Sequence, residues 1–195
     1  TPITEMFGIE FPILAFTHCR DVVAAVSKAG GLGVLGAVGH SDSGLETDLA
    51  WIEAEIGDRP YGVDLIVPAR YAGSEEGGLD VADLVAAIPG AHQEFLDDLM
   101  ERYQVPEDPD AAGWAIRPGE APFSANRASQ QLDIALAHRP SLVANALGPP
   151  PSEMVQRCRE AGVKVAALAG TRVHAERHVA AGADVIIAQG TEGGG

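Results

Sequence analysis

Apolar residues fall in short runs along most of the chain, separated by stretches in which they recur every three or four positions. Short runs bounded by Gly or Pro predict buried strands, and the wider spacing predicts amphipathic helices. Phe11–Phe16 contains Pro12 near its start and predicts a first strand. Asp21–Ala29 predicts a helix with Val22, Val26 and Ala29 inward, stopped by Gly30 and Gly31. Leu32–Gly36 predicts the second strand. A strand, a helix and a strand within so few residues form one βαβ unit with parallel strands.

The alternation continues. Ser43 with Glu46 three positions on predicts a capping box. The helix that it opens runs to Gly57, with Leu49, Ile52 and Ile56 inward. Tyr61–Val67 predicts a third strand, interrupted near its carboxyl end by Asp64. That carboxylate either bonds a neighbouring loop or meets a ligand. Later units follow the same rule: a helix over Phe123–His138 with Ala128, Leu132, Ala135 and Leu136 on one side, and a strand over Ser141–Leu147. Pro149–Pro151 leads into a helix with Met154, Val155, Cys158 and Ala161 on one face. Val163–Ala169 predicts a fifth strand, Arg172–Ala181 a helix and Ala183–Ala188 a sixth strand.

The rhythm breaks between residues 69 and 120. Glycine, proline and acidic residues cluster at 73–78 and 106–110, and between them Phe95, Leu96, Leu99, Met100 and Tyr103 keep helical spacing. This predicts an insertion or lid at 69–120, between a first barrel part at 1–68 and its continuation at 121–195. Six strands alternating with helices give an α/β class with a parallel sheet, which a doubly wound sheet and an eight-unit barrel share. No Gly-x-Gly-x-x-Gly opens the first helix, which favours the barrel. Such a barrel has eight βα units, and six are present here.

The formal charge of −15 speaks against a nucleic-acid partner and against an anionic membrane surface; its plain meaning is solubility. Two cysteines are too few for a disulfide scaffold or a cysteine metal site. No run approaches the roughly 20 apolar residues of a membrane span, and no signal segment opens the chain, so a reducing cytoplasm is expected.

The chain ends on Gln189-Gly190-Thr191-Glu192-Gly193-Gly194-Gly195, a nearly side-chain-free loop after a strand, where backbone N–H groups can approach a ligand. This loop, the run Ala25-Val26-Ser27-Lys28-Ala29-Gly30-Gly31-Leu32-Gly33 and the strand Tyr61-Gly62-Val63-Asp64-Leu65 together resemble the nitronate monooxygenase family, formerly 2-nitropropane dioxygenases. The resemblance covers roughly residues 1–67 and 141–195. It implies a TIM (β/α)8 barrel cut short at its carboxyl end, with FMN at the carboxyl ends of the strands. The activity implied is oxidation of a small alkyl nitronate by O2 to a carbonyl compound and nitrite. By position, Ala15, Phe16, Thr17, Asp64, Gly170, Thr171, Gln189, Gly190, Gly193 and Gly194 would contact the flavin. Asp64 stands where the family has Asn, exchanging a neutral amide for an acceptor expected to carry charge. The family's catalytic His would follow Gly195, and His18 is the candidate within the chain. A flavin-dependent NAD(P)H quinone or enoyl reductase is the alternative, and a non-catalytic fragment or phosphate-ligand scaffold a second. No metal site is expected.

Other single residues have plainer readings. His174 and His178 are expected to be a surface pair, Cys19 a small buried filler, and Trp51 and Trp114 packing residues.

Overall fold

β2 (Leu32–Gly36) is buried along its whole length, as a strand is when both faces of its sheet are covered. The computed structural model describes residues 1–67, 81–106 and 124–192. Within them β1 (Leu14–Thr17), β2, β3 (Tyr61–Leu65), β4 (Leu142–Asn145), β5 (Lys164–Ala169) and β6 (Val185–Ala188) form one sheet. Its strand order is β1-β2-β3-β4-β5-β6 and every pairing is parallel. A doubly wound sheet reverses its order at a switch point. Here the order never reverses, so the chain winds one way, as in a (β/α)8 barrel, and supplies six of the strands.

The two faces of the sheet hold separate apolar clusters. On one, Leu35, Val63, Leu65, Val143 and Val165 meet residues of the helical layer. These come from α2 (Arg20–Lys28), α3 (Asp42–Ile56), α6 (Ala125–Ala137) and α7 (Ser152–Glu160), and include Val23, Leu45, Leu49, Ile52, Leu132 and Met154. On the other, Leu32, Val34, Leu142, Ala144 and Ala166 form the inner wall. Phe7, at the end of α1 (Pro2–Phe7), and Ile9 just beyond it join this inner cluster. The helix therefore plugs the inner face beside the starts of the strands. Gly33 faces the helices: a Cβ there would lie 2.3 Å from the Val23 carbonyl oxygen. Glycine is what lets α2 pack directly on β2.

Several expectations shift. The inward face of α2 is Val23, Ala24 and Ser27, while Val22 is exposed. Ser27 Oγ donates to the Pro60 carbonyl and accepts from Gly33 N–H, so a polar residue fits on the inward face. α3 is capped by Ser41, whose side chain accepts from Gly44 N–H, rather than by Ser43. α1 carries a capping box of its own and went unpredicted, because six residues show no helical period. Cys19 is exposed at the N-cap of α2 rather than buried. Trp51 packs against the core, with Arg20 over its ring at 4.8 Å.

The residues of 69–120 that are described form α4 (Val81–Ala86) and α5 (Gly90–Arg102). α5 buries none of its residues; Phe95 and Leu96 are exposed. The clusters at 73–78 and 107–110, Trp114, Gly193 and Gly194 lie outside the described residues. Among the described residues, no helix is long and apolar enough to cross a membrane. α8 (Arg172–Ala181) forms as its pattern predicts, but His178 is buried and bonds the Leu168 carbonyl through Nε2 at 2.9 Å. Only His174 of that pair is on the surface.

Candidate functional site

Successive residues of a strand point to opposite faces, so the register decides which residues meet inside the curl of the sheet. Gly36 pairs with Asp64, Asp64 with Ala144, Ala144 with Ala166, and Ala166 with Val185. Ala144 and Ala166 belong to the inner cluster, so this whole row faces inward. Its side chains are mostly small. Phe16, also of inward parity through its pairing with Val34, is 57% exposed. Its ring meets that of His18 edge-on, with centroids 5.1 Å apart. His18 Nδ1 lies 3.1 Å from the Gly36 carbonyl oxygen. A Cβ on Gly36 would reach within 2.6 Å of His18 Cε1 and 2.8 Å of Phe16 Cζ. Glycine there lets both rings stand against the wall.

Asp64 is the one acid of this row. Its Oδ1 is buried and has no hydrogen-bond partner among the described residues. Burial pushes its carboxyl up to about 7. This corrects the expectation of a charged acceptor: near neutral pH the group is divided between carboxylate and neutral acid. The loop bond considered for it in the sequence is not made by Oδ1. Nearby backbone is satisfied by the strand itself, with the Asp64 carbonyl accepting from Ala37 N–H at 2.9 Å.

The other predicted residues divide by parity and place. Ala15 and Thr17 pair with Gly33 and Leu35 and so face the helices. Thr17 Oγ1 accepts from Cys19 N–H at 3.0 Å, turning the chain into α2. Gly170 is exposed just past β5. Thr171 caps α8 by accepting from His174 N–H. Gln189 N–H extends the last ladder to the Ala169 carbonyl at 3.0 Å. A Cβ on Gly190 would meet Glu192 Oε2 at 2.7 Å, so the tail turns its own acid back over that glycine. Phe16, Asp64, Gly170, Gln189 and Gly190 thus gather at the carboxyl ends of the strands.

Asn145 was missed. It is fully buried, accepts from Val67 N–H at 2.9 Å, and donates toward the carbonyls of Gly148, Val67 and Leu147 at 3.2, 3.3 and 3.4 Å. It ties the loop leaving β3 to the loop leaving β4. The signal was available: Asn145 breaks an apolar strand just as Asp64 does. Gln131 and Arg127 of α6 were missed too. Gln131 donates to the Ala37 carbonyl at 2.8 Å, and Arg127 bonds Asp42 and the His40 carbonyl, fixing the loop after β2.

Beside His18 that loop borders a cleft of about 430 Å³, lined also by His40, Ser41, Ser43, Thr47 and Asp48. Asp48 is held by Arg20 at 2.8 Å and by His40 Nε2 at 3.1 Å. No group of three or more metal-binding side chains occurs among the described residues.

This geometry meets close relatives. The chain matches the nitronate monooxygenase family over residues 1–195. A Mycobacterium tuberculosis protein provisionally named a monooxygenase is 52% identical over 202 residues, covering all of this chain and 52% of that protein. A Staphylococcus saprophyticus protein provisionally named a nitronate monooxygenase is 26% identical over 203 residues, covering all of this chain and 50% of its own length. The crystal structure of nitroalkane oxidase from Streptomyces ansochromogenes superposes with a TM-score of 0.67 at 23% identity, over 98% of this chain and 49% of that one, and shows the shared fold. The chain spans about half the length of the curated relatives it matches. With the family matched from the first residue to the last, on an inner wall of the kind its barrel requires, the chain belongs to the nitronate monooxygenase family.

Proposed function

We propose that this chain carries much of the flavin site of an FMN-dependent oxidoreductase, one that oxidises alkyl nitronates with O2 to a carbonyl compound and nitrite. The supporting observation is the inward pair Gly36 and Asp64, with Phe16 and His18 beside it, near the carboxyl ends of β2, β3 and β1 in a family barrel. Gly36 leaves room for the Phe16 and His18 rings, and the exposed Phe16 ring offers a planar ring system a flat partner. An orphaned polar atom of the inward pair, Asp64 Oδ1, fits the polar edge of a heterocycle. FMN, when bound, supplies the electron exchange between the substrate and O2.

The protein's own residues bind and orient. Phe16 presents the flat face, and Gly36 makes room behind it. Backbone N–H groups at Gly170, Gly190, Gly193 and Gly194, with the Gln189 side chain, serve the ring's edge and side chain, where the lack of bulk allows close approach. Ala15, Thr17 and Thr171 act from behind, holding the two loops in place. His18, between the wall and the cleft of about 430 Å³, meets the anionic nitronate. The 69–120 segment serves as a lid between the barrel parts 1–68 and 121–195, and the enzyme works in the cytoplasm on small molecules.

The test uses protein expressed from its native gene. It should purify yellow with FMN, and with ethyl nitronate consume O2 and release nitrite. Anaerobic NADH should leave the flavin oxidised; rapid bleaching would move the assignment to a quinone or enoyl reductase. A colourless protein that takes up no FMN would sink the proposal.

A further inference from the structure

Asp64 is placed unlike an ordinary buried acid. On either side of it in the row stand Gly36 and Ala144, with Ala166 beyond, so β2, β4 and β5 bring it no charge. Among the described residues it forms no ion pair, and its Oδ1 has no hydrogen-bond donor. His18, reaching in from the β1–α2 loop to the Gly36 carbonyl, is the titratable group that faces this part of the wall. A buried carboxylate without a donor or a cation is costly, and a ligand laid over it removes the remaining water. The edge of a pyrimidine-type ring alternates carbonyl and N–H. A carboxylic acid answers both, through O–H and C=O, whereas a carboxylate accepts only and repels the carbonyl.

We infer that Asp64 holds the planar cofactor as a neutral acid, donating and accepting at once, so that binding of FMN takes up one proton. The inference rests on the proposed flavin site and concerns how that site is controlled. It makes the flavin site tightest at acid pH and progressively weaker as Asp64 ionises. The neutral acid has the same shape and the same pair of hydrogen-bonding roles as an Asn side chain.

The experiment is a fluorescence titration of the apoprotein with FMN across pH 5.5 to 9, with calorimetry in two buffers of different ionisation enthalpy. For the wild type, Kd should rise about tenfold per pH unit above neutrality, roughly 100-fold between pH 6 and 9. Calorimetry near pH 8 should show uptake of about one proton per FMN. Asp64→Asn should bind FMN with a flat profile, close to the wild type's acid limit. His18→Gln should keep the wild-type slope. A flat wild-type profile, an Asn variant with the wild-type slope, or a slope lost in His18→Gln would each overturn the inference while leaving the flavin site standing. FMN binding to none of these proteins at any pH would overturn both. Should Asp64→Asn fail to fold, the wild-type proton uptake decides alone.

Discussion

Asn145 offers the sharpest test of how the site is held. Its Oδ1 is 2.9 Å from Val67 N, and its Nδ2 reaches three carbonyl oxygens between 3.2 and 3.4 Å, all with the side chain fully buried. Two N–H groups cannot serve three carbonyls fully, so about three good bonds are at stake. Asn145→Ala removes them and leaves Val67 N–H without its acceptor. At about 1 kcal/mol per net bond, with about 1 kcal/mol more for the orphaned donor, the loss is about 4 kcal/mol. Asn145→Asp is more informative. It keeps the acceptor but turns a charged oxygen toward carbonyls, so its folded pKa must rise. The native state then binds the proton more tightly than the unfolded chain does. Stability therefore falls as pH rises, by about 1.4 kcal/mol per unit above the unfolded value near 4, until the folded pKa is reached. Urea denaturation between pH 4 and 8 measures both variants, and amide exchange at Val67 reports the lost bond directly. A cost below about 1 kcal/mol for the Ala variant, or an Asp variant whose stability falls with pH no more than the wild type's, would refute the role given to Asn145.

Three further outcomes are expected. Burial raises Asp64 from 3.8 to about 7, so the folded apoprotein holds this proton more tightly than the unfolded chain. Wild-type stability should then fall by about 3 kcal/mol between pH 5 and 8, and Asp64→Asn should remove that fall in urea midpoints. Gly33→Ala sets a Cβ 2.3 Å from the Val23 carbonyl oxygen, a backbone atom that cannot swing aside. Its melting temperature should drop by an amount equal to about 3 kcal/mol or more, and an unchanged melting temperature would contradict the close α2–β2 contact. His138 is pulled down by burial, but the carboxylates of Glu53 at 3.0 Å and Glu46 at 3.2 Å outweigh this and raise it above 6.5. Its contribution, at most about 1 kcal/mol for such partly exposed pairs, is complete below pH 6.5 and lost as pH rises through the folded value; His138→Gln should abolish that slope.

The strands and most of the helices were legible because each carries one clear period. Leu32–Gly36 and Lys164–Ala169 needed only their apolar runs to be placed. Helix faces were less secure. α2 turned by one position because Ser27, a polar residue, goes inward to bond Pro60 and Gly33 across 33 and six positions of chain. The sequence pattern puts His178 on the surface for the same reason, since only the Leu168 carbonyl makes burying it favourable. The wall was half legible. Asp64 stood out as an acid in an apolar strand, but its neutral character depends on Gly36 and Ala144 beside it, which only the register brings there. Ala15 and Thr17 adjoin Phe16 in sequence yet face the helices, a distinction that strand parity draws and a family motif does not.

The crossover between β3 and β4 has a further meaning. Gly33 pairs with Tyr61, 28 positions later, whereas Gly62 pairs with Leu142, 80 positions later. The entropy of closing a loop grows only with the logarithm of its length, so the longer excursion costs about 1 kcal/mol more than the shorter. The sheet register is indifferent to what the excursion contains. This single connection is where the scaffold can lengthen, shorten or exchange a module almost free of thermodynamic penalty. Because it leaves from the end of the strand bearing Asp64, variation there would reshape access to the wall and leave the wall itself intact.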